Sequence, residues 1–391
     1  MVNRKPIFRY LVDTDMNVLH LYRTYFPDPP GGTQEAIRQI CLATSQFGVK
    51  AKVFTLSPQP KPKLIHAEEA EVFRSWSWAA PASCDLGGVD SVVQFRTLSQ
   101  WADVIHFHFP WPFADVLHVM GVCNKSTVMT YHSDIVKQKF LGYLYGPLMR
   151  HTLKKMGAVV ATSPMYAASS RVLAQIVDSK KLRIIPLGIV DYASDSIEEG
   201  AEDNILDRLN LQNQPFLLSL GVLRYYKGLH TLLEAASTIK GNIVIAGSGP
   251  EGLALRAQAD RLGCKNIIFA GQLTKSQKII LLRSCRALVL PSHVRSEAFG
   301  MVLVEASMFG KPMVCCEVGS GTSFVNSHGK TGFVVPPESP QELTKACNTL
   351  IHDLALAERM GAAARARYEY LFSGEALGLN YFNLYKEVSE R

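Results

Sequence analysis

Residues 287–305 run Ala287-Leu-Val-Leu-Pro-Ser-His-Val-Arg-Ser-Glu297-Ala-Phe-Gly-Met-Val-Leu-Val-Glu305. Ala287–Pro291 is a short apolar run closed by proline, the pattern of a strand buried on both faces. Ser292–Ser296 is a polar loop, and a helix is expected to open near Phe299. Strand, loop and helix in that order make half of a βαβ unit. Main-chain N–H groups at a helix start are unsatisfied and carry partial positive charge, so such a junction suits a diphosphate or a negative leaving group. Glu297 then stands at the wall of a cleft. Glu305, about two turns into the helix, can accept hydrogen bonds from ribose hydroxyls. A helix-capping acid followed by a surface glutamate fits the same spacing.

The same grammar extends in both directions. Downstream of a polar break, Phe216–Gly221, Asn242–Ala246, Asn266–Ala270, Ala287–Pro291 and Pro312–Cys316 read as strands, each followed by a helical stretch. Upstream, Met16–Tyr22, Ala51–Leu56, Asp103–Phe107, Ser126–Tyr131, Ala158–Thr162 and Leu182–Pro186 form a matching series, with helices starting near Gly32, Pro112 and Ile135. These series predict an α/β protein of two Rossmann-like doubly wound domains facing a central cleft. Residues 1–190 are assigned to the first domain, 191–215 to a linker rich in Asp, Glu, Ser, Asn and Gln, and 216–373 to the second domain. Residues 374–391 form a last helix that is expected to cross back to the first domain.

Composition narrows the function classes. With 391 residues, 47% hydrophobic and 19% charged, the chain is globular and long enough for two cores. No apolar run approaches the ~18 residues of a membrane-spanning helix, and no secretory signal follows Met-Val-Asn-Arg-Lys-Pro, so the cytoplasm is the expected compartment. The eight cysteines include no C-x-x-C pair, which disfavours zinc and redox readings. The net charge of +7 is uneven: residues 1–190 carry 21 basic against 13 acidic residues, and residues 191–391 carry 20 against 21. The basic excess belongs to the first half; nucleic acid, anionic lipid and phosphorylated substrates all suit such a surface, and charge alone does not choose among them, nucleic acid leaving the expected partners only with the family resemblance below.

Around Glu297-x7-Glu305, Gly221-Val-Leu-Arg-Tyr-Tyr-Lys-Gly228, Gly247-Ser-Gly-Pro250, Phe269-Ala-Gly271, Gly319-Ser-Gly-Thr322 and Gly329-Lys-Thr-Gly-Phe-Val-Val-Pro336 follow in order. Together they resemble glycosyltransferase family 4, the retaining enzymes of the GT-B fold. The first half matches more sparsely, through Tyr25-Phe-Pro27 with Gly31-Gly32, His106 and His108, and Tyr131-His-Ser-Asp134. Within the family the chain looks most like bacterial mannosyl- and rhamnosyltransferases of surface polysaccharide assembly, including O-antigen and lipopolysaccharide. The resemblance implies that Glu297 holds donor-sugar hydroxyls, that the amides of Ala298, Phe299 and Gly300 line the donor site, and that Glu305 binds the ribose. It implies that Lys227, with Arg224, neutralises the diphosphate. Many relatives carry the arginine directly after the first glycine, where this chain has Val222. His132 would face the sugar from the first domain, although a buried core histidine fits its position too.

Gly31 and Gly32 follow the first strand and open a helix, so backbone there can approach a phosphate or the acceptor. An ordinary turn also uses Gly-Gly. Gly247-x-Gly249-x-x-Gly252 satisfies the dinucleotide fingerprint, but no acid follows at the end of the next strand, so Gly249 is assigned to a loop backing the donor phosphates. His106 and His108 share a strand face without an evident third ligand, and Asp13-Thr-Asp15 precedes a strand, so no metal or other cofactor is expected. The implied substrate is a nucleotide-diphosphate sugar, with GDP-mannose or a GDP-linked deoxymannose favoured, and the acceptor a lipid-linked or polysaccharide glycan. Lys137, Lys139, Arg150, Lys154 and Lys155 with Phe140, Tyr143 and Tyr145 point to peripheral attachment at an anionic membrane, or to a solvated helix face. A GT-B-type sugar-nucleotide epimerase and a non-catalytic nucleotide-sugar- or polysaccharide-binding protein remain the rival readings.

Overall fold

The computed structural model describes residues 15–28, 31–80, 84–120, 124–134, 139–196, 201–212 and 214–391. The helix start near Ile135, Lys137 and Asp13-Thr14 lie outside the described residues, and so do the side chains of Lys139, Phe140 and Tyr143.

The first sheet contains β1 Met16–Leu21, β2 Val49–Ser57, β3 Leu64–His66, β4 Glu71–Ala79, β5 Leu86–Gly87, β6 Val104–Phe109, β7 Ser126–Tyr131, β8 Ala158–Ala161 and β9 Leu182–Ile184. Their order is β3-β4-β2-β1-β6-β7-β8-β9, with β5 paired to β4. The second sheet contains β10 Phe216–Leu220, β11 Asn242–Ala246, β12 Ile267–Gly271, β13 Ala287–Leu290, β14 Met313–Cys316 and β15 Gly332–Val335, in the order β12-β11-β10-β13-β14-β15. All its pairs are parallel. Each sheet reverses its winding once, between β1 and β6 and between β10 and β13, and open α/β sheets bind ligands beyond the C-terminal strand ends at such a point. Residues of β6 and β13 are buried throughout, as central parallel strands require.

The chain divides into two compact units: residues 1–160, 176–185 and 377–391, and residues 161–175 with 186–376. This division differs from the sequence-based one at residues 161–175, 186–190 and 374–376, which join the second unit, and in the supposed linker. Residues 161–175 belong to the second unit, where Arg295 donates to the Ser169 carbonyl and hydroxyl oxygens at 3.3 and 3.0 Å. The stretch expected as a linker is folded onto the same unit. Its helix Ala201–Arg208 packs against the helix Lys275–Ser284, with Ile205 and Leu211 buried, while Arg283 donates to the carbonyls of Ala193 and Asp195. Its polar composition is that of a helix with one wet face. The last helix, Gly374–Ser389, buries Leu377, Tyr381, Phe382, Leu384, Tyr385 and Val388 against Met16, Val18, Ile40 and Val104 of the first unit.

Candidate active site

In the second unit, the segment after β10 and the loop after β13 meet at the point where the winding reverses. The Lys227 ammonium donates to Glu297 Oε2 at 2.5 Å, and the Ser292 hydroxyl donates to the same oxygen at 3.3 Å. Both side chains are largely buried, at 14% and 10% exposure. Burial alone would lower the lysine pKa, but the adjoining Glu297 carboxylate holds it above the usual lysine value. Gly228 makes this approach possible. Its φ is +66°, and a Cβ there would lie 2.0 Å from the Pro291 carbonyl oxygen. Arg224 is exposed at the start of the short 3-10 turn Tyr225–Lys227; its carbonyl accepts from the Lys227 N–H at 3.0 Å, its guanidinium has no hydrogen-bond partner among the described residues, and it is close enough to oppose Lys227 protonation.

The helix expected near Phe299 runs Met301–Met308, because Gly300 takes the left-handed conformation at its start, with φ +81°. Phe299 is buried edge-on to Phe372, so it can line a ligand site only through its backbone. Among the described residues the amides of Ala298, Phe299 and Gly300 have no acceptor, whereas the Ala298 carbonyl accepts from Gly321 N–H at 2.8 Å. Donor groups beside Lys227 favour an anion. Glu305 accepts from the Tyr192 hydroxyl and from the Lys278 ammonium, each at 2.7 Å. Ser292, Tyr192 and Lys278 were not anticipated from sequence. Tyr192 falls in the supposed linker, and Lys278 lies on a different helix with no distinctive spacing to Glu305.

Gly249 has a different explanation from the one its pattern implies. A Cβ there would lie 2.4 Å from the Leu223 carbonyl oxygen and 2.6 Å from its nitrogen, so contact between two loops already demands glycine. Gly32 contrasts with it. A Cβ at Gly32 meets nothing within 4 Å, and one at Gly31 comes closest to the side-chain tip of Gln34, at 2.7 Å. Among the described residues no packing requires glycine at position 32, whereas Gln34 is buried and donates to the Thr24 hydroxyl and so crowds a side chain at position 31; both glycines begin the helix Gly32–Ser45.

In the first unit, β1, β6 and the end of β7 assemble four buried histidines. His20 Nδ1 lies 3.1 Å from His108 Nε2, and His108 Nδ1 lies 3.0 Å from His132 Nε2. His106 meets the Tyr385 hydroxyl and the Thr130 hydroxyl, both at 2.7 Å. Burial pushes His20 and His132 down to about 3 and His106 and His108 well below the ordinary value, so all four are neutral near pH 7. Because each ring in the His20–His108–His132 chain must donate to or accept from the next, the tautomers are linked. His132 is therefore a buried, hydrogen-bonded histidine whose free nitrogen is set from behind. The expectation that His106 and His108 lack a third partner is corrected: His20 of β1 stands opposite His106 and brings a third imidazole within 4.8 Å.

Residues 30–191 match the family described as Glycosyltransferase Family 4, and residues 202–367 match Glycosyl transferases group 1. D-rhamnosyltransferase WbpZ of Pseudomonas aeruginosa is 41% identical over 92% of this chain and 92% of its own. O-antigen chain mannosyltransferase C of Escherichia coli is 38% identical over 96% of this chain and 99% of its own. Among solved structures, sucrose-phosphate synthase from Thermosynechococcus elongatus superposes with a TM-score of 0.77 at 22% identity, covering 95% and 98% of the two chains. Anabaena HepE, solved with UDP and glucose, gives 0.76 at 19% identity over 95% and 100%. These likenesses bear out the two Rossmann-like sheets of the GT-B fold. No described helix is long and apolar enough to cross a membrane.

Proposed function

This chain belongs to glycosyltransferase family 4, and from that premise we propose that it transfers a mannosyl or 6-deoxymannosyl unit from a GDP-linked donor to a growing polysaccharide carried on lipid. The observation that carries the reading is the buried Lys227–Glu297 pair at the reversal between β10 and β13. It sets a cation for a diphosphate beside a carboxylate for sugar hydroxyls. The names of the two long relatives support the sugar class and the O-antigen setting.

In this reading donor binding separates the pair. Lys227, helped by Arg224 and the amides of Ala298 to Gly300, takes the diphosphate, while Glu297 takes sugar hydroxyls and Glu305 the ribose. The acceptor hydroxyl attacks the anomeric carbon from the face the diphosphate leaves. The bond from that carbon to the phosphate oxygen breaks, and the hydroxyl proton passes to the departing phosphate. Configuration is thereby retained. Charge stabilisation by Lys227 and the amides lets transfer proceed without a metal. His132, its tautomer set through His108 and His20, positions the reacting sugar, and Gly31-Gly32 leaves backbone room for the acceptor.

The test is a donor screen with the purified protein and a lipid-linked glycan acceptor, reading nucleotide diphosphate release. GDP-mannose or GDP-deoxymannose should turn over only with acceptor present. Conversion of donor alone would favour an epimerase, and release from UDP-sugars alone would refute the proposed donor.

A further inference from the structure

Behind the Lys227 segment, three elements of the second unit bring together two imidazoles and a carboxylate. His230 lies in the first turn of the helix Leu229–Ala236, His293 in the loop after β13, and Glu338 in the turn between β15 and the helix Pro340–His352. The two helices pack on each other, and one ligand atom from each of the three residues falls within 4.8 Å of the others. Both ring nitrogens of His293 are buried, and neither has a hydrogen-bond partner among the described residues. Buried polar atoms are ordinarily paired, so two orphans on one ring call for an occupant. Tyr225 holds both rings in place, edge-on to His293 at 4.7 Å and stacked on His230 at 5.8 Å. Glu338 keeps a left-handed backbone, with φ +54°, a conformation costly for a residue with a Cβ and one that recurs where a site holds a side chain in position.

We propose that His230, His293 and Glu338 form a binding site for a divalent transition cation of the zinc class, completed by water. Two imidazoles and a carboxylate are a ligand set this class accepts. Neighbouring ligand atoms of a tetrahedral zinc stand about 3.3 Å apart, so ligation would draw the three side chains together from within 4.8 Å, with the exposed Glu338 side chain turning inward. Desolvation, followed by the neighbouring His230, lowers the His293 pKa and keeps its ring free for a metal at neutral pH, although Glu338 acts the other way. Among the described residues the other group with suitable spacing, His20, His106 and His108, is largely accounted for by its own hydrogen bonds. The cation would fasten the loop after β13 and the turn before Pro340 to the helix that follows Lys227. Gly228 sits against this loop, 3.3 Å from His293 Nδ1 when a Cβ is placed on it. The site therefore supports the basic segment without touching the reacting groups.

Zinc chloride titrated into the full chain without nucleotide tests this, read by calorimetry and thermal melting beside His293→Ala and Glu338→Gln. One zinc per chain and a raised melting temperature are expected for the wild type, with binding weakened at least about tenfold in His293→Ala and less in Glu338→Gln. Metal-free melting of each variant near the wild-type temperature establishes that it is folded. Failure of the wild type to bind, or wild-type affinity in both variants, overturns the proposal. Cobalt(II) in place of zinc adds a second readout. Absorption from imidazole and carboxylate ligation supports the site, whereas an intense thiolate charge-transfer band places the ion on cysteine and overturns it.

Discussion

Replacing Glu297 by alanine leaves the Lys227 ammonium buried without its counter-charge, so this substitution affects stability as well as turnover. The motif alone gives no reason to expect a folding effect, because it does not show that both side chains are enclosed. Glu297→Ala should destabilise the protein by about 3 kcal/mol, whereas Glu297→Gln, which still accepts from Lys227, should lose less than half of that. Both should cut turnover at saturating donor by at least about a hundredfold. Denaturant melts alongside single-turnover assays check this, and wild-type turnover in folded Glu297→Gln defeats the catalytic role. Glu305 behaves differently because Tyr192 and Lys278 already hold it. Glu305→Ala should weaken GDP binding by about ten- to hundredfold, the value of about 1.5–3 kcal/mol for hydrogen bonds to a charged acceptor. Calorimetric titration of GDP decides, and unchanged affinity removes the ribose assignment. The roles of these acids came from resemblance; their partners did not. Lys227 lies 70 positions from Glu297, and no local pattern reports a contact at that separation.

At the scale of elements, the histidines of β1 and β6 and His132 after β7 make the first unit sensitive to acid. His20 and His132 are held at about 3 in the fold against 6.5 for an unperturbed ring. Between those values the unfolded chain binds protons that the folded chain does not, so stability rises with pH across the window and is lost as pH falls from 6.5. Each such histidine contributes a slope of about 1.4 kcal/mol per pH unit. Asp115, on the buried face of the helix Pro112–Val119, works in the opposite sense. Burial raises it to about 7 against the hydrogen bond from Tyr145, so the folded chain holds a proton that the unfolded chain releases, and stability falls as pH rises from 3.8 toward 7. Four histidines outweigh one aspartate, and melting temperature should drop steeply from pH 6.5 to 5. Asp115→Asn should be more stable than wild type at pH 8 and lose that advantage by pH 4. Melting curves across pH test both statements; a flat wild-type profile contradicts the first, and an equal gain at pH 8 and pH 4 contradicts the second.

Strands with continuous apolar runs were legible in the sequence. Ser126–Tyr131 and Asn242–Ala246 begin and end where the residue pattern places them. Leu64–His66 and Glu71–Ala79 were not. The first is the edge strand and the second pairs beside it; in the second, Trp76 and Trp78 are 61% and 56% exposed, so the apolar side chains do not mark the buried face. Gly332–Val335 hid inside a glycine-rich segment whose family pattern drew attention to its turns instead of its pairing with β14.

Across the whole molecule, both sheets repeat one winding, and each gathers its chemistry beside its reversal. Cationic and amide donors mark the second unit, and neutral imidazoles with the open Gly32 mark the first. That division fits a charged donor on one unit and a neutral glycan hydroxyl on the other. The basic aromatic surface proposed for membrane attachment lies partly outside the described residues, and Tyr145 of that group instead donates to the buried Asp115. Flotation with neutral and anionic liposomes should show anionic preference that is lost on mutating Arg150, Lys154 and Lys155; equal flotation with both removes the proposal. The most direct test of the central claim is the anomeric configuration of the sugar transferred from GDP-α-mannose, read by NMR on the purified product. Transfer without a covalent intermediate, on the face the diphosphate leaves, predicts an α-linked product with one GDP released per linkage. A β-linked product would contradict it.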